Sequence, residues 1–273
     1  MNSISMKDNN LYLVVNNVIN RENNYLIKGK NKTKEMKKKK EELNKITSLI
    51  LRRDYSFAST IGLNFTQKMR NEINLPYSSE IISQIIGHML GDGSLSMTWS
   101  SKNPYFVFTQ GFLKFKYTWF VFNKLSFLCK SMPRLGKSIR NGKTYYFLQV
   151  YTRSYPFLKE IYNLFYIKNP SNKIIKVVPK EIYYWLNPIS LAYWTMDDGA
   201  ATTSGSGFYL HTKGFSFMDV YNLAGIIHYK FDIICSVQNH DNRPVLYIRA
   251  KYKNRYIEII RPYFHESMLY KLK

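Results

Sequence analysis

Ile85-Ile86-Gly87-His88-Met89-Leu90-Gly91-Asp92-Gly93 and Leu191-Ala192-Tyr193-Trp194-Thr195-Met196-Asp197-Asp198-Gly199 are two copies of one phrase. Each is an apolar run of helical length that ends in Asp-Gly. The glycine reads as a helix stop, because it enters the left-handed backbone region without a side-chain clash. The aspartate runs against local electrostatics. A carboxylate in the last turn faces the negative end of the helix dipole, at a cost of roughly 0.3–1 kcal/mol. One such acid decides nothing. Two, at the same place in matching phrases, point to a pair of carboxylates brought together for a cation.

Working outward, each copy heads a repeated unit. Phe108-Thr109-Gln110-Gly111-Phe112 follows the first and His211-Thr212-Lys213-Gly214-Phe215 the second. The phrases are offset by 106 residues and these pentads by 103, a three-residue difference in loop length. A looser echo links residues 157–162 with residues 256–261. Strands are expected at residues 105–110 and 208–212. In the second unit a helix is expected from Ser216, with Asp219 completing an approximate capping box. Val220, Leu223, Ile227 and Phe231 then fall at helical spacing and read as core. A hairpin follows in each unit: residues 145–151 after the Asn141-Gly142 turn, and residues 245–250 after Asp241-Asn242-Arg243-Pro244. Asn-Gly is a strong two-residue hairpin signal. A closing helix makes each unit α-β-β-α-β-β-α, so the fold class is α+β, with the unit duplicated.

The domain reading is a lysine-rich extension over residues 1–75, a first half over 76–168, a polar linker over 169–186 and a second half over 187–273. The extension holds an apolar patch, Leu11-Tyr12-Leu13-Val14-Val15, and the block Lys37-Lys38-Lys39-Lys40. That block is either a solvated helix or disordered arm, or an arm that tracks phosphates. Residues 46–75 have scattered apolar positions that suit helices leading into the first motif.

The chain has 273 residues, 45% of them apolar, enough for a real core. Lys plus Arg outnumber Asp plus Glu by 40 to 18. Residues 1–80 carry a net +7 and residues 81–273 a net +15, so the excess is built into the folded part and points to a polyanionic partner. The two cysteines, Cys129 and Cys235, are too few for a disulfide framework or a thiolate metal site. No apolar stretch reaches the ~20 residues that span a bilayer, and no membrane partner is expected. Neither a secretory signal nor an Arg-rich transit peptide is apparent at the start. The 24 Asn against 6 Ala fit AT-rich coding, as in an organelle genome. No Ser-His-Asp or Cys-His spacing and no phosphate-cradling glycine loop stands out.

The two phrases resemble the motif of the LAGLIDADG homing endonucleases. Residues 190–199, Ser-Leu-Ala-Tyr-Trp-Thr-Met-Asp-Asp-Gly, are especially similar to the second motif of its single-chain, intron-encoded members. The resemblance covers roughly residues 75–273. It implies motif helices packed at a pseudo-twofold axis, with antiparallel β-sheets forming a DNA-binding saddle. Such helix contacts favour small residues, which Gly87 and Gly91 supply, but Tyr193 and Asp197 stand at the matching positions of the second copy. An asymmetric interface is therefore expected.

Two carboxylates sharing a site repel, and must take up a proton or bind cations. Oxygen-only ligands with open positions suit Mg²⁺, and a pair of such ions can assist phosphodiester hydrolysis. The resemblance assigns this role to Asp92 and Asp198. The expected metal-contacting set also takes in the adjoining Gly91 and Asp197, although the Asp197 side chain should leave the helix in another direction. Lys176 and Lys271 match family positions near the metals and would offset charge on the phosphate. Gln110 would position a water. His88 reads as a packed or hydrogen-bonded histidine, and His211 sits near the second site. Base readers are expected among Ser94, Ser96, Thr98, Ser100, Gln149, Thr152, Arg153, Thr202, Thr203, Gln238, Asn239, Arg249 and Lys251.

The resemblance thus implies a monomeric, mitochondrially encoded, Mg²⁺-dependent endonuclease that cuts both strands of a long double-stranded DNA site and serves intron mobility. The alternative is an RNA maturase that binds its host intron RNA. Retention of both aspartates favours the nuclease, and also weighs against a simple DNA-binding regulator.

Overall fold

The computed structural model describes residues 60–62, 65–73, 75–76, 79–98, 101–202 and 206–272. The apolar patch at residues 11–15, the lysine block, Ser100 and Thr203 lie outside the described residues.

After a short helix, α1 (Gln67–Glu72), the first half runs α2 (Glu80–Leu90), β1 (Gly93–Ser96), β2 (Tyr105–Gly111), α3 (Phe115–Leu125), β3 (Arg134–Arg140), β4 (Lys143–Tyr151) and α4 (Phe157–Phe165). A hairpin of β5 (Tyr166–Lys168) and β6 (Ile174–Lys176) and a single helical turn, α5 (Ile182–Trp185), lead to the second half. That half runs α6 (Pro188–Asp198), β7 (Gly199–Ala201), β8 (Phe208–Leu210), α7 (Phe217–Phe231), β9 (Cys235–His240), β10 (Arg243–Ile248) and α8 (Lys253–Ile260). The α-β-β-α-β-β-α order therefore occurs twice. The sheets share one antiparallel topology, β1-β2-β4-β3 and β7-β8-β10-β9.

Local chemistry sets the element ends. Ser79 caps α2 by accepting from the Ile82 amide. Asn187 and Ser190 form a reciprocal capping box on α6, with Pro188 in the first turn where its missing N–H costs nothing. The expected box of Ser216 and Asp219 starts α7. On that helix Val220, Leu223 and Ile227 are buried, while Phe231, at its last turn, is only half-buried. Both long hairpins turn on two residues with positive φ, Asn141-Gly142 and Asp241-Asn242. This suits the right-handed twist of the flanking strands. The second turn is thus tighter than its sequence suggests, and Pro244 stands inside β10, opposite Asn239.

The pentad repeat is one residue out of structural register. Gly93 pairs with Phe108 and Gly199 with Leu210, so Leu210, not His211, is the counterpart of Phe108. Of the matching Gly-Phe pairs, Gly111 still closes β2 while Gly214 and Phe215 lie in the turn beyond β8. Residues 169–186 are also more than a polar connection, since they include β6 and α5.

The core sits under the sheets and between α2 and α6. Ile82, Ile85, Ile86, Met89, Leu191, Trp194 and Met196 are all buried there. The interface is knob into hole. A Cβ on Gly87 would come within 2.5 Å of the Ser190 carbonyl oxygen and 2.7 Å of Tyr193 Cβ. One on Gly91 would come within 2.6 Å of Asp197 Cβ. Among the described residues, no helix is long and apolar enough to cross a membrane.

Candidate active site at the end of the motif helices

The two Asp-Gly steps convert helix to strand at one end of the helix pair. Neither glycine is there for left-handed backbone, contrary to the reading of the sequence. Among the described glycines only Gly62 and Gly142 have positive φ. The reason is space. A Cβ on Gly93 would meet His88 Cβ at 2.7 Å, and one on Gly199 would meet the Thr195 carbonyl oxygen at 2.6 Å. Only glycine lets each strand leave so close to its own helix.

Asp92 and Asp198 sit at these steps, and the charge of Asp92 acts on Asp198. The Asp92 carboxyl still reaches solvent, but partial desolvation and then the negative charge of Asp197 push its pKa up to about 6, opposed by Lys114, Lys271 and His88. Asp198 is half-buried and pushed up to about 7, by desolvation and then by the charges of Asp92 and Asp197, with Lys271 and Lys114 opposing. Gln110, buried at the end of β2, donates from Nε2 to Asp92 Oδ2. Among the described residues no donor reaches the Asp198 carboxylate. By strand register the counterpart of Gln110 is Thr212, whose hydroxyl is committed to the Pro244 carbonyl oxygen at 2.9 Å.

Both expected lysines reach this end of the helices. β6 delivers Lys176, whose Nζ donates to the Gly93 carbonyl oxygen at 2.8 Å. Desolvation lowers its pKa to about 8 against the pull of Asp198, Asp197 and Asp92. Lys271 comes from the 3-10 helix Glu266–Leu272 and donates to the carbonyl oxygens of Met196 at 2.7 Å and Asp197 at 2.8 Å. These carbonyls lie in the last turn of α6 and have no partner along their own helix, so Lys271 also neutralises the negative helix end. Its pKa is lowered to about 8 by desolvation and by Lys114.

Lys114 is a residue that sequence reading missed. It closes the 3-10 turn Phe112–Lys114 after β2, and its charge acts on Asp92, Asp198 and Lys271 alike. Its one signal in sequence was a position four after Gln110, in an otherwise aromatic run.

Asp197 does not fit the metal-contacting set through its side chain. Oδ1 accepts from the Tyr117 hydroxyl at 2.7 Å, and Oδ2 from His88 Nδ1 at 2.8 Å and the Asp92 amide at 3.2 Å. Both oxygens of the carboxylate are engaged by protein donors, and the group points into the first half. His88 is packed as expected, its ring 4.4 Å from that of Phe108. His211 enters through its backbone, donating N–H to the Asp198 carbonyl oxygen at 3.0 Å.

Of the expected base readers, Thr152 and Arg153 are buried and cannot read DNA. Thr152 bonds the Phe106 amide, and Arg153 holds Thr60 and the Cys129 carbonyl. Gln149 does lie on the sheet face opposite the buried Leu148 and Val150. It donates to Thr109 Oγ1 at 3.1 Å and accepts from the Tyr151 hydroxyl at 2.6 Å.

The model of the LAGLIDADG DNA endonuclease family matches residues 82–255. The chain belongs to this family. Its relatives include the cytochrome b mRNA maturase bI2 of Saccharomyces cerevisiae, 36% identical over 225 residues. That match takes in 78% of this chain and 52% of the relative, so the chain spans about half the relative's length. The intron-encoded endonuclease ai4 of Dictyostelium discoideum is 31% identical over 160 residues, 55% of this chain and 95% of that protein. Among solved structures, the homing endonuclease I-WcaI, bound to its DNA recognition sequence, matches with a TM-score of 0.68. It covers 78% of this chain and 95% of its own at 23% identity, a likeness of fold.

Proposed function

We propose that this chain is a site-specific DNA endonuclease that cuts both strands of a long duplex target and promotes mobility of the intron encoding it. The observation that carries the reading is the pair Asp92 and Asp198, charge-coupled and ringed by Lys176, Lys271 and Lys114. Retention of both carboxylates favours the nuclease, because a splicing cofactor has no need of them.

The donor set fits divalent metal. Among the described residues no donor reaches the Asp198 carboxylate, the pKa of both carboxyls is raised, and the ligands are oxygen only, which suits Mg²⁺. Asp92 and Asp198 would hold it, with the Gly91 carbonyl the one group that glycine can offer. When bound, the metal supplies Lewis-acid assistance to phosphodiester hydrolysis. Gln110 orients Asp92. Lys176 and Lys271 hold positive charge over the scissile phosphates, where negative charge builds in the transition state. Lysines with pKa near 8 also suit proton transfer near neutral pH. The antiparallel sheets form the saddle that takes DNA, each offering a strand ribbon to the major groove. The two halves, residues 76–168 and 187–273, act together as a monomer. The gene resides in mitochondria.

A second reading, a maturase for the host intron RNA, draws support from the name of the bI2 relative. One experiment separates the two. The endonuclease should bind the intronless junction duplex in Ca²⁺ far more tightly than scrambled duplex, and cut both strands of the junction alone in Mg²⁺. If the duplexes bind alike, while unspliced host RNA binds tightly and splices faster, the maturase reading stands and the nuclease reading falls.

A further inference from the structure

Asp197 is the most heavily engaged carboxylate in the described structure, and every donor to it comes from the other half of the molecule. Its side chain leaves the last turn of α6 and crosses to the first motif. There His88 belongs to α2, Tyr117 to α3, and the Asp92 amide to the step where α2 becomes β1. A carboxylate only accepts, so His88 carries its proton on Nδ1. The crossing is possible because the matching residue of the first motif is Gly91. A Cβ there would lie 2.7 Å from Asp197 Oδ2. The device is one-sided, since Gly91 has no side chain to return it.

The bond to the Asp92 amide gives this arrangement a consequence for the site. An amide just past a helix C-terminus has no regular ladder partner until the strand begins. In the first motif Asp197 supplies that partner, and it fixes the main chain from which the Asp92 carboxyl projects. Tyr117 and His88 in turn fix Asp197, while Lys271 holds its carbonyl oxygen. A buried hydrogen-bond network holds geometry through its satisfied members, here both oxygens of Asp197, while its outer link is long, with Gln84 Nε2 3.5 Å from His88 Nε2.

We propose that Asp197 is a positioning residue: from the second half, it locks the backbone of Asp92 so that the two site carboxylates keep a fixed spacing. The proposal rests on the assignment of Asp92 to the active site. Its role is that of a shaped acceptor and does not require its charge. Asn at this position can keep its oxygen toward His88 and the Asp92 amide, and turn its NH₂ to the Tyr117 oxygen, which can accept.

The test compares full-length protein carrying Asp197→Ala, Asp197→Ser or Asp197→Asn. Three quantities are read: hydrogen–deuterium exchange of the Asp92 amide by NMR, the rise in melting temperature on adding Ca²⁺, and single-turnover cleavage in Mg²⁺. Alanine and serine should each speed exchange of that amide at least tenfold and cut the Ca²⁺-induced rise by more than half. They should also slow cleavage at least tenfold, with junction binding kept within a few-fold. Asparagine should restore all three to within threefold of the parent. Should alanine fail to fold, serine against asparagine carries the comparison. An unprotected Asp92 amide in the parent, unchanged values in serine, or equal losses in serine and asparagine would each overturn the proposal. A parent that cuts no DNA would count against the nuclease reading, and the exchange and Ca²⁺ measurements would still decide the role of Asp197.

Discussion

Gly91 and Asp197 hold the same position in the two motif copies, and the structure seats one in the space left by the other. A Cβ on Gly91 would lie 2.6 Å from Asp197 Cβ and 3.1 Å from its Cγ. These atoms cannot swing aside, because His88, Tyr117 and the Asp92 amide hold the carboxylate. Gly91→Ala should therefore destabilise the fold by about 1–3 kcal/mol, the usual cost of overpacking a tight contact. Chemical denaturation measures it. The reverse change, Asp197→Gly, should not rescue it, since it leaves buried donors unpaired.

The site carboxylates make a direct prediction. Asp92→Asn or Asp198→Asn should bring double-strand cleavage to background while junction binding stays within a few-fold. The acids face metal and not DNA in the proposed mechanism. Full cleavage by either variant in Mg²⁺ would remove them from the active site.

Their titration sets the stability profile of the metal-free protein. Folded, Asp92 and Asp198 keep their protons up to about 6 and about 7, against an ordinary value of 3.8. The unfolded chain releases both earlier, so between pH ~4 and ~7 it binds fewer protons than the folded one, and stability falls as pH rises. Above that window both states are ionised and the penalty is constant. Divalent metal binds the ionised pair and stabilises by mass action. The melting-temperature gain from Ca²⁺ should thus be small near pH 5 and large near pH 8. Asp198→Asn should flatten both curves.

Lys114 offers a test of the charge ring. Its removal takes a favourable charge from Asp92 and Asp198 and an unfavourable one from Lys271. Lys114→Met should move the acid limb of the cleavage pH profile upward. If the side chain also meets a phosphate, the slope of log affinity against log salt should become shallower by about 1. An unshifted pH profile would place Lys114 outside the site.

What was legible in the sequence followed from what is local. The motif helices, the capping box of Ser216 and Asp219 and the positive-φ turns depend on residues a few positions apart. The duplicated order of elements follows from the same repeated signals. What was hidden depends on contacts far along the chain. Asp197 meets His88 and Asp92 only once the halves pack, and Lys114 acts on Asp198 across the same interface. Gly199 was rightly read as a helix end, whereas α2 ends at Leu90 with Gly91 as its cap and Gly93 already opens β1; at both Asp-Gly steps packing, and not left-handed backbone, calls for the glycine. Sidedness misled at the end of β4. Thr152 falls on the face of the buried Leu148 and Val150, and Arg153, in step with Gln149 and Tyr151, is buried because the strand has ended at Tyr151.

That difference in sidedness is the basis of the last prediction. Gln149 lies on the groove face, tied to Thr109 and Tyr151, with the Arg134 guanidinium 5.2 Å from the centre of the Tyr151 ring. A glutamine so held presents a fixed donor and acceptor pattern, which discriminates a base by about 1–3 kcal/mol. Arg153 instead lies beneath the sheet, donating to the Thr60 hydroxyl at 2.6 Å and carbonyl at 2.9 Å, with its guanidinium 5.3 Å from the centre of the Phe65 ring. Removing it leaves buried acceptors unpaired, at about 1–3 kcal/mol for each neutral group. Gln149→Ala should therefore relax preference at one or two adjacent base pairs, with the melting temperature nearly unchanged. Arg153→Ala should lower the melting temperature by several degrees and leave the preference intact in the fraction that folds. Cleavage of a library of single-base target variants, read beside thermal unfolding, distinguishes them. A base-preference change in Arg153→Ala, or none in Gln149→Ala, would mean that this sheet meets DNA by a face other than the one carrying Gln149.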